Sequence, residues 1–131
     1  MIVVDSSLLA NAIAVPAAEG DAARERLARD TDAHAPQLIE VEVVAAVRRL
    51  SASGELSEEG AGLALLHLQA FPVVRYPHVE LIPRMWELRH NATPYDASYI
   101  ALAEELGCAL VTADARLARV RSVRCEVELI R

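Results

Sequence analysis

Lysine is absent from this chain of 131 residues, and all thirteen of its basic residues are arginines. Nineteen acidic residues bring the formal net charge to −6. This balance argues against a protein that binds nucleic acid through an overall positive charge. It also weighs against the enzymes that form an aspartyl phosphate, since these normally use a lysine to neutralise the phosphoryl group.

Cysteines and long apolar runs are also scarce. Cys108 and Cys125 are the only two cysteines, they form no CxxC pair, and no histidine lies close to either. We therefore expect buried, reduced thiols and no zinc site. No apolar run approaches the ~20 residues that a membrane span needs, and no basic stretch marks a signal peptide. These absences predict a cytoplasmic protein without a membrane anchor.

Apolar residues make up 53% of the chain, which is enough for a folded core and excludes a disordered class. The length predicts a single domain over residues 1–131. Short apolar strands are expected at 2–5, 32–36, 71–77, 108–114 and 123–130. Helices are expected from Ser6 or Ser7, and over 21–29, 37–50, 57–69, 78–90 and 93–107. This alternation predicts an α/β domain with a mainly parallel sheet and helices on both faces.

Two carboxylates lie at the last positions of predicted strands. Asp5 ends the strand over 2–5, and Asp114 ends the strand over 108–114, which also contains Thr112. Each has a local explanation, because an aspartate at such a junction can cap the next helix by accepting a backbone N–H. Strand ends are also where ligand sites form in parallel sheets, so both interpretations stay open.

Two further carboxylates lie on predicted helices. Asp96 is the third residue after the expected cap Thr93, where it would complete a capping box or favour the positive end of the helix. Glu42 lies in a helix that is apolar nearly all round, where a carboxylate needs a partner, a cation or a proton. An ion pair with Arg49 or a solvated edge is the alternative.

Considered together, these four acids favour a cation site. Like charges repel strongly in a medium of low dielectric constant, so a cluster of carboxylates is unstable without a cation among them. Ligands that are all oxygen suit Mg²⁺ or Mn²⁺ better than zinc. Such ions commonly polarise phosphoryl oxygens and generate hydroxide that attacks a phosphodiester.

Four segments of the chain resemble the motifs of PIN-domain nucleases, in particular the VapC-type ribonuclease toxins of bacterial toxin–antitoxin pairs. The most specific of them is the segment TPYDASYIALAEELG followed by a strand and TAD, and the resemblance covers the whole chain. The segments are VVDSS with Asp5, the stretch from Pro36 to Glu42, the stretch around Asp96, and LVTAD with Asp114.

The resemblance implies a five-stranded parallel sheet of order 3-2-1-4-5 between layers of helices. It implies that the four acids bind one or two Mg²⁺ or Mn²⁺ ions and that a metal-activated water hydrolyses RNA, with tRNA or ribosomal RNA as the substrate. Ser7 and Thr112 match small hydroxyl positions that support the acids. The implied partners are a cognate VapB-type antitoxin and a second copy of the chain in a homodimer.

The chain departs from the family pattern after the fourth motif. Some relatives carry a further acid there, whereas Ala115, Arg116 and Leu117 follow Asp114 here, which puts a second metal ion in doubt. Arg116 and Arg119 instead favour contacts with an incoming phosphate backbone. Solvated surface charge is the alternative.

Two other functions fit parts of the sequence. A strand that ends in aspartate near the N-terminus also suggests an aspartyl-phosphate phosphatase, but position 7 is serine where those enzymes need a second acid. A catalytically weak PIN module that acts by binding RNA or a partner would not need all four acids. The sequence therefore favours an active, metal-dependent endoribonuclease.

Overall fold

The computed structural model describes the whole chain, residues 1–131, and is built on one parallel sheet of five strands in the order β3-β2-β1-β4-β5. This is the order that the resemblance to PIN-domain nucleases implied. Because β1 lies at the centre between β2 and β4, the chain reverses its direction of travel across the sheet there. The strands are β1 (Ile2–Val4), β2 (Ala33–Pro36), β3 (Val73–Tyr76), β4 (Ala109–Thr112) and β5 (Val127–Leu129).

Six α-helices cover the sheet, and none of them is both long and apolar enough to cross a membrane. Helices α1 to α4 pack on one another, while α5 packs on α6, which lies along β1, β2 and β4. The helices are α1 (Ser6–Ala14), α2 (Ala18–Arg29), α3 (Leu38–Ala52), α4 (Glu58–Ala70), α5 (Ile82–Glu87) and α6 (Pro94–Leu106), with 3₁₀ turns at Val79–Leu81 and Leu117–Arg119.

Capping side chains set the start of the helices that matter for the site. Asp5 accepts the Leu8 N–H at the start of α1, and Thr93 accepts the Asp96 N–H at the start of α6. Gly107 ends α6 with a φ of 65°, a left-handed conformation that glycine adopts without steric cost. These local signals hold Asp5 and Asp96 at the same end of the molecule.

Several element boundaries were predicted wrongly. The expected helix over 78–90 is a 3₁₀ turn followed by the short α5, because Pro83 cannot supply the N–H that a continuous helix needs. Helix α2 begins at Ala18, inside the expected break, and the last strand is only three residues long. Helix α3 is not apolar and buried all round, since Val41 and Val44 are 68% and 46% exposed.

The two cysteines are free, as expected, but only partly buried. They precede β4 and β5, so they lie at the amino-terminal end of the sheet, away from the acids described below. Burial raises the pKa of the Cys125 thiol to about 11, with a smaller contribution from the charge of Glu104. Burial also raises the pKa of Cys108, so both thiols are protonated at neutral pH.

Candidate active site

An open cavity of about 800 Å³ lies at the carboxyl ends of β1 and β4. All four predicted acids line it, and each comes from a different part of the chain. Asp5 follows β1, Glu42 is on α3, Asp96 is in the first turn of α6, and Asp114 follows β4. The fold thus brings together the four carboxylates that the sequence singled out, at the edge where parallel sheets form their sites.

Asp5 is the most deeply buried of the four, with 4% of its surface exposed. Its carboxylate accepts the Leu8 N–H at 3.0 Å, the Ser7 hydroxyl at 2.8 Å and the Thr112 hydroxyl at 2.6 Å. Asp5 is therefore a helix cap and a wall of the cavity at once. Burial raises the pKa of Asp5 from 3.8 to about 6, although these hydrogen bonds oppose the change.

Ser7 and Thr112 join the end of β1 to the end of β4. Besides contacting Asp5, the Ser7 hydroxyl accepts the Ala113 N–H at 3.0 Å, and the Thr112 hydroxyl accepts the Asp114 N–H at 2.9 Å. Each hydroxyl has one proton to donate and lone pairs to accept, so it can bridge a carboxylate and a backbone amide. The two residues fix the position of Asp5 relative to the loop that carries Asp114.

Asp96 makes no side-chain hydrogen bond, so the capping box considered above does not form. Only the Thr93 half of that motif is present, with the Asp96 N–H donating to the Thr93 hydroxyl at 3.2 Å. Burial, followed by the negative charges of Asp114 and Glu42, raises the pKa of Asp96. A half-buried carboxylate without a protein partner is left facing two other acids.

Glu42 is held by Tyr99 of α6. The Tyr99 hydroxyl donates to Glu42 Oε1 at 2.7 Å, and only 1% of Tyr99 is exposed. Burial and the hydrogen bond to Glu42 raise the pKa of Tyr99, so the phenol stays a donor. The signal that could have identified Tyr99 is its spacing of three residues from Asp96 on α6.

Two arginines line the same cavity. Arg49, the alternative partner of Glu42, is exposed and does not pair with it. Arg116 lies beside Asp114, and Arg119 is not among the residues that line the cavity. Burial acts to raise the pKa of Asp114, but the backbone N–H and the guanidinium of Arg116 outweigh it and lower that pKa.

The residues of this cavity fit a divalent cation that prefers oxygen ligands. As they stand, no three of the His, Cys, Asp and Glu side chains are close enough together to enclose an ion. The cavity nevertheless offers carboxylate oxygens without competing nitrogen or sulfur ligands, and Asp96 has no other partner. Burial is the main cause that raises the pKa values of Asp5 and Asp96, and neighbouring acids add to it. A bound cation would favour the charged forms of both carboxylates.

Comparison with known proteins gives a consistent assignment. The model of the PIN domain family matches residues 2–123. The ribonuclease VapC1 of Mycobacterium tuberculosis is 42% identical over 130 residues, which cover 98% of this chain and 97% of the relative. The VapC ribonuclease Mb0985 of Mycobacterium bovis is 39% identical over 130 residues, which cover 99% and 98% of the two chains.

Solved structures share the fold at lower sequence identity. VapC20 of Mycobacterium tuberculosis, described as a toxin that cleaves the sarcin–ricin loop, superposes with a TM-score of 0.68 and 20% identity over 95% of this chain and 99% of its own. VapBC2 from Rickettsia felis, solved with a DNA fragment from its promoter, gives a TM-score of 0.71 and 13% identity over the full length of both chains. At these identities the likeness establishes the fold alone.

Proposed function

Because this chain belongs to the PIN domain family, we propose that it is a Mg²⁺- or Mn²⁺-dependent endoribonuclease and the toxin of a toxin–antitoxin pair. The observation that carries the proposal is the meeting of Asp5, Glu42, Asp96 and Asp114 in one cavity at the carboxyl edge of the sheet. The full-length similarity to relatives named as VapC ribonucleases supports the same activity.

In this proposal the four carboxylates hold the cation, and their neighbours hold the carboxylates. Ser7 and Thr112 orient Asp5 through hydrogen bonds of 2.8 and 2.6 Å, and Tyr99 orients Glu42. When bound, such a cation neutralises charge on a phosphodiester and lowers the pKa of water. Outer partners of this kind typically change metal affinity or activity by about 10–100-fold when they are lost.

The substrate we propose is a structured RNA, either a tRNA or a ribosomal RNA. The cavity is open to solvent and is flanked by the cationic side chains of Arg49 and Arg116, which suit a phosphate backbone that approaches a negatively charged centre. The related VapC20 is described as cleaving the sarcin–ricin loop, which supports RNA as the class of substrate. Contacts beyond the scissile bond would set the choice of RNA.

The partners we propose are a VapB-type antitoxin and a second copy of the chain. The VapBC2 assembly, which has the same fold, supports an antitoxin of this type. Large apolar side chains exposed on α3 and α5, such as Val41, Ile82 and Trp86, support a protein–protein contact. Light scattering of the purified chain at several concentrations tests the homodimer, for which a constant monomer mass would be the contrary result. The proposal also includes a cytoplasmic location for the protein.

Incubation of the purified chain with total RNA tests the activity. We expect discrete cleavage products with Mg²⁺ or Mn²⁺ and none with EDTA, and we expect the cognate antitoxin to suppress cleavage. RNA binding without cleavage under all metal conditions would favour a PIN module that acts by binding alone. Cleavage that persists in EDTA would rule out the metal-dependent mechanism.

A further inference from the structure

Arg116 follows Asp114 by two residues and turns back towards it. Its backbone N–H donates to Asp114 Oδ1 at 2.8 Å, while its guanidinium Nε and Nη2 lie 3.4 Å from Oδ1 and Oδ2. The backbone contact has the length of a strong hydrogen bond, whereas the guanidinium contacts are long. The backbone hydrogen bond therefore fixes the turn between Asp114 and Arg116. The guanidinium faces both carboxylate oxygens of Asp114 but makes only weak contacts with them.

Arg116 is also the more solvent-exposed member of this pair. The Arg116 side chain is 85% exposed, against 28% for Asp114, and Asp114 is the only acid with which it pairs. It also lines the cavity that the other three acids share. One exposed cation thus lies at the edge of a cavity that contains four carboxylates.

We propose that Arg116 is an internal counter-cation of the carboxylate cavity, which faces Asp114 before RNA binds and moves to an RNA phosphate when RNA binds. The inference rests on the proposed nuclease function, because it gives Arg116 a role in the same cavity. It also explains the absence of an acid after Asp114, since residues 115–117 add a positive charge at that point instead of a further carboxylate. A cavity organised in this way takes one divalent cation.

Loss of the Arg116 charge should then affect metal and RNA in opposite directions. A nearby positive charge repels a divalent cation, so its removal should tighten metal binding by about two- to fivefold after screening by water and salt. Loss of the Arg116 charge also removes a phosphate contact. This loss should raise the KM by roughly three- to tenfold for RNA of any sequence. A purely structural role for Arg116 would not give opposite signs.

The test compares Arg116→Gln and Arg116→Lys with the wild-type chain and with Arg48→Gln, a matched control at an exposed arginine that does not line the cavity. Calorimetric titration of each metal-free protein with Mn²⁺, without RNA, gives the affinity and the number of ions bound. Cleavage kinetics with Mn²⁺ at several salt concentrations give the KM and the salt dependence of kcat/KM. Thermal melts exclude a folding defect.

We expect one Mn²⁺ per chain, tighter Mn²⁺ binding and a higher KM in Arg116→Gln, and wild-type behaviour in Arg48→Gln. The slope of log kcat/KM against log salt should become shallower by about 0.7, the value for one phosphate contact on a single strand, and Arg116→Lys should restore part of each change. An unchanged Mn²⁺ affinity, or an unchanged KM with an unchanged salt slope, would overturn the proposal. A wild-type chain that binds Mn²⁺ but does not cleave RNA would instead refute the nuclease function.

Discussion

The acids at the two ends of the parallel sheet lie in different surroundings. At the amino-terminal end, Asp30 pairs with the amino group of Met1 at 3.0 Å, and Asp32 contacts His34 Nε2 at 2.8 Å. The hydrogen bond from the amino terminus lowers the pKa of Asp30. At the carboxyl-terminal end, burial raises the pKa values of Asp5 and Asp96. Aspartate is thus stabilised at Asp30 and destabilised at Asp5 and Asp96. Asp114 is the exception at the carboxyl end, because its contacts with Arg116 outweigh burial and lower its pKa.

This difference separates an acid that stabilises the fold, Asp30, from acids whose burial reduces stability, Asp5 and Asp96. Folding alone would favour partners or neutral residues at the carboxyl end, because unpaired charges in a partly buried place reduce stability. Perturbed carboxylates that share a cleft are typical of functional sites. The comparison therefore predicts that neutral substitutions at the two ends will have opposite consequences for activity and for stability.

The largest expected effect is on RNA cleavage. Asp5→Asn should lower kcat/KM with Mg²⁺ by at least about 100-fold, the upper end of what loss of an outer partner of a metal site costs, because Asp5 is proposed to contact the cation itself. Asp30→Asn should leave cleavage close to the wild-type rate. Kinetics with a defined RNA substrate measure both, and equal losses in the two variants would break the distinction between the two ends.

The next effect is a pH dependence of stability in the metal-free protein. The folded chain holds a proton on Asp5 up to about pH 6, whereas an ordinary aspartate releases it near 3.8. The contribution of Asp5 to the free energy of unfolding should therefore fall as the pH rises from 4 to 7, by about 2 kcal/mol. The contribution of Asp30, whose pKa is lowered, is instead lost as the pH falls below the ordinary value of 3.8.

Urea unfolding at a series of pH values isolates this contribution as the difference between the wild-type chain and Asp5→Asn. The informative quantity is the difference in slope, since the substitution also changes the hydrogen bonds of Ser7 and Thr112. A wild-type curve that runs parallel to the Asp5→Asn curve between pH 4 and 7 would mean that the pKa of Asp5 is ordinary.

A smaller effect is expected when the support of Glu42 is removed. Tyr99→Phe keeps the buried ring but loses the hydroxyl that donates to Glu42, so the Mn²⁺ affinity should fall by about tenfold. Tyr76→Phe is a matched control, because it loses a hydrogen bond of the same 2.7 Å length, to His34, outside the cavity. Calorimetry should distinguish the two, and equal affinities would show that Tyr99 is only a core residue.

The smallest effect concerns thermal stability without metal. Asp96→Asn should raise the melting temperature by roughly 2–4 °C, since it relieves about 0.5–1 kcal/mol of repulsion at a half-exposed site. Asp30→Asn should lower it, because the pairing with Met1 is lost. Scanning calorimetry in EDTA checks the signs, and a lower melting temperature for Asp96→Asn would mean that its charge mainly supports the start of α6.

How much of this the sequence could predict depends on the range of the interactions. Asp5 and Asp114 were identifiable because a buried strand that ends in a carboxylate is a local signal and parallel strands end at one edge. The sheet order and the family were predicted correctly. The partner of Glu42 was not predicted, because Tyr99 is 57 residues away along the chain. Only tertiary packing determines that Glu42 contacts Tyr99 and not Arg49.

Local sequence patterns also could not predict the shape of the cavity. Arg116 was recognised as a basic residue near Asp114, but the turn of its backbone onto Asp114 Oδ1 depends on the loop that Ser7 and Thr112 hold. The short α5 was missed because Pro83 interrupts the expected helix. The exposed face of α3 was missed because apolar residues alone do not show which face a neighbouring element covers. Local chemistry identified the acids, and tertiary packing determined their partners.

The most direct test of the account is calorimetric titration of the metal-free chain with Mn²⁺, with Asp96→Asn and Asp30→Asn measured beside it. The account predicts one binding event in the wild-type chain, an affinity at least about tenfold weaker in Asp96→Asn, and an unchanged affinity in Asp30→Asn. No binding by the wild-type chain, or equal affinities in all three proteins, would contradict the claim that the carboxyl end of the sheet is a cation site.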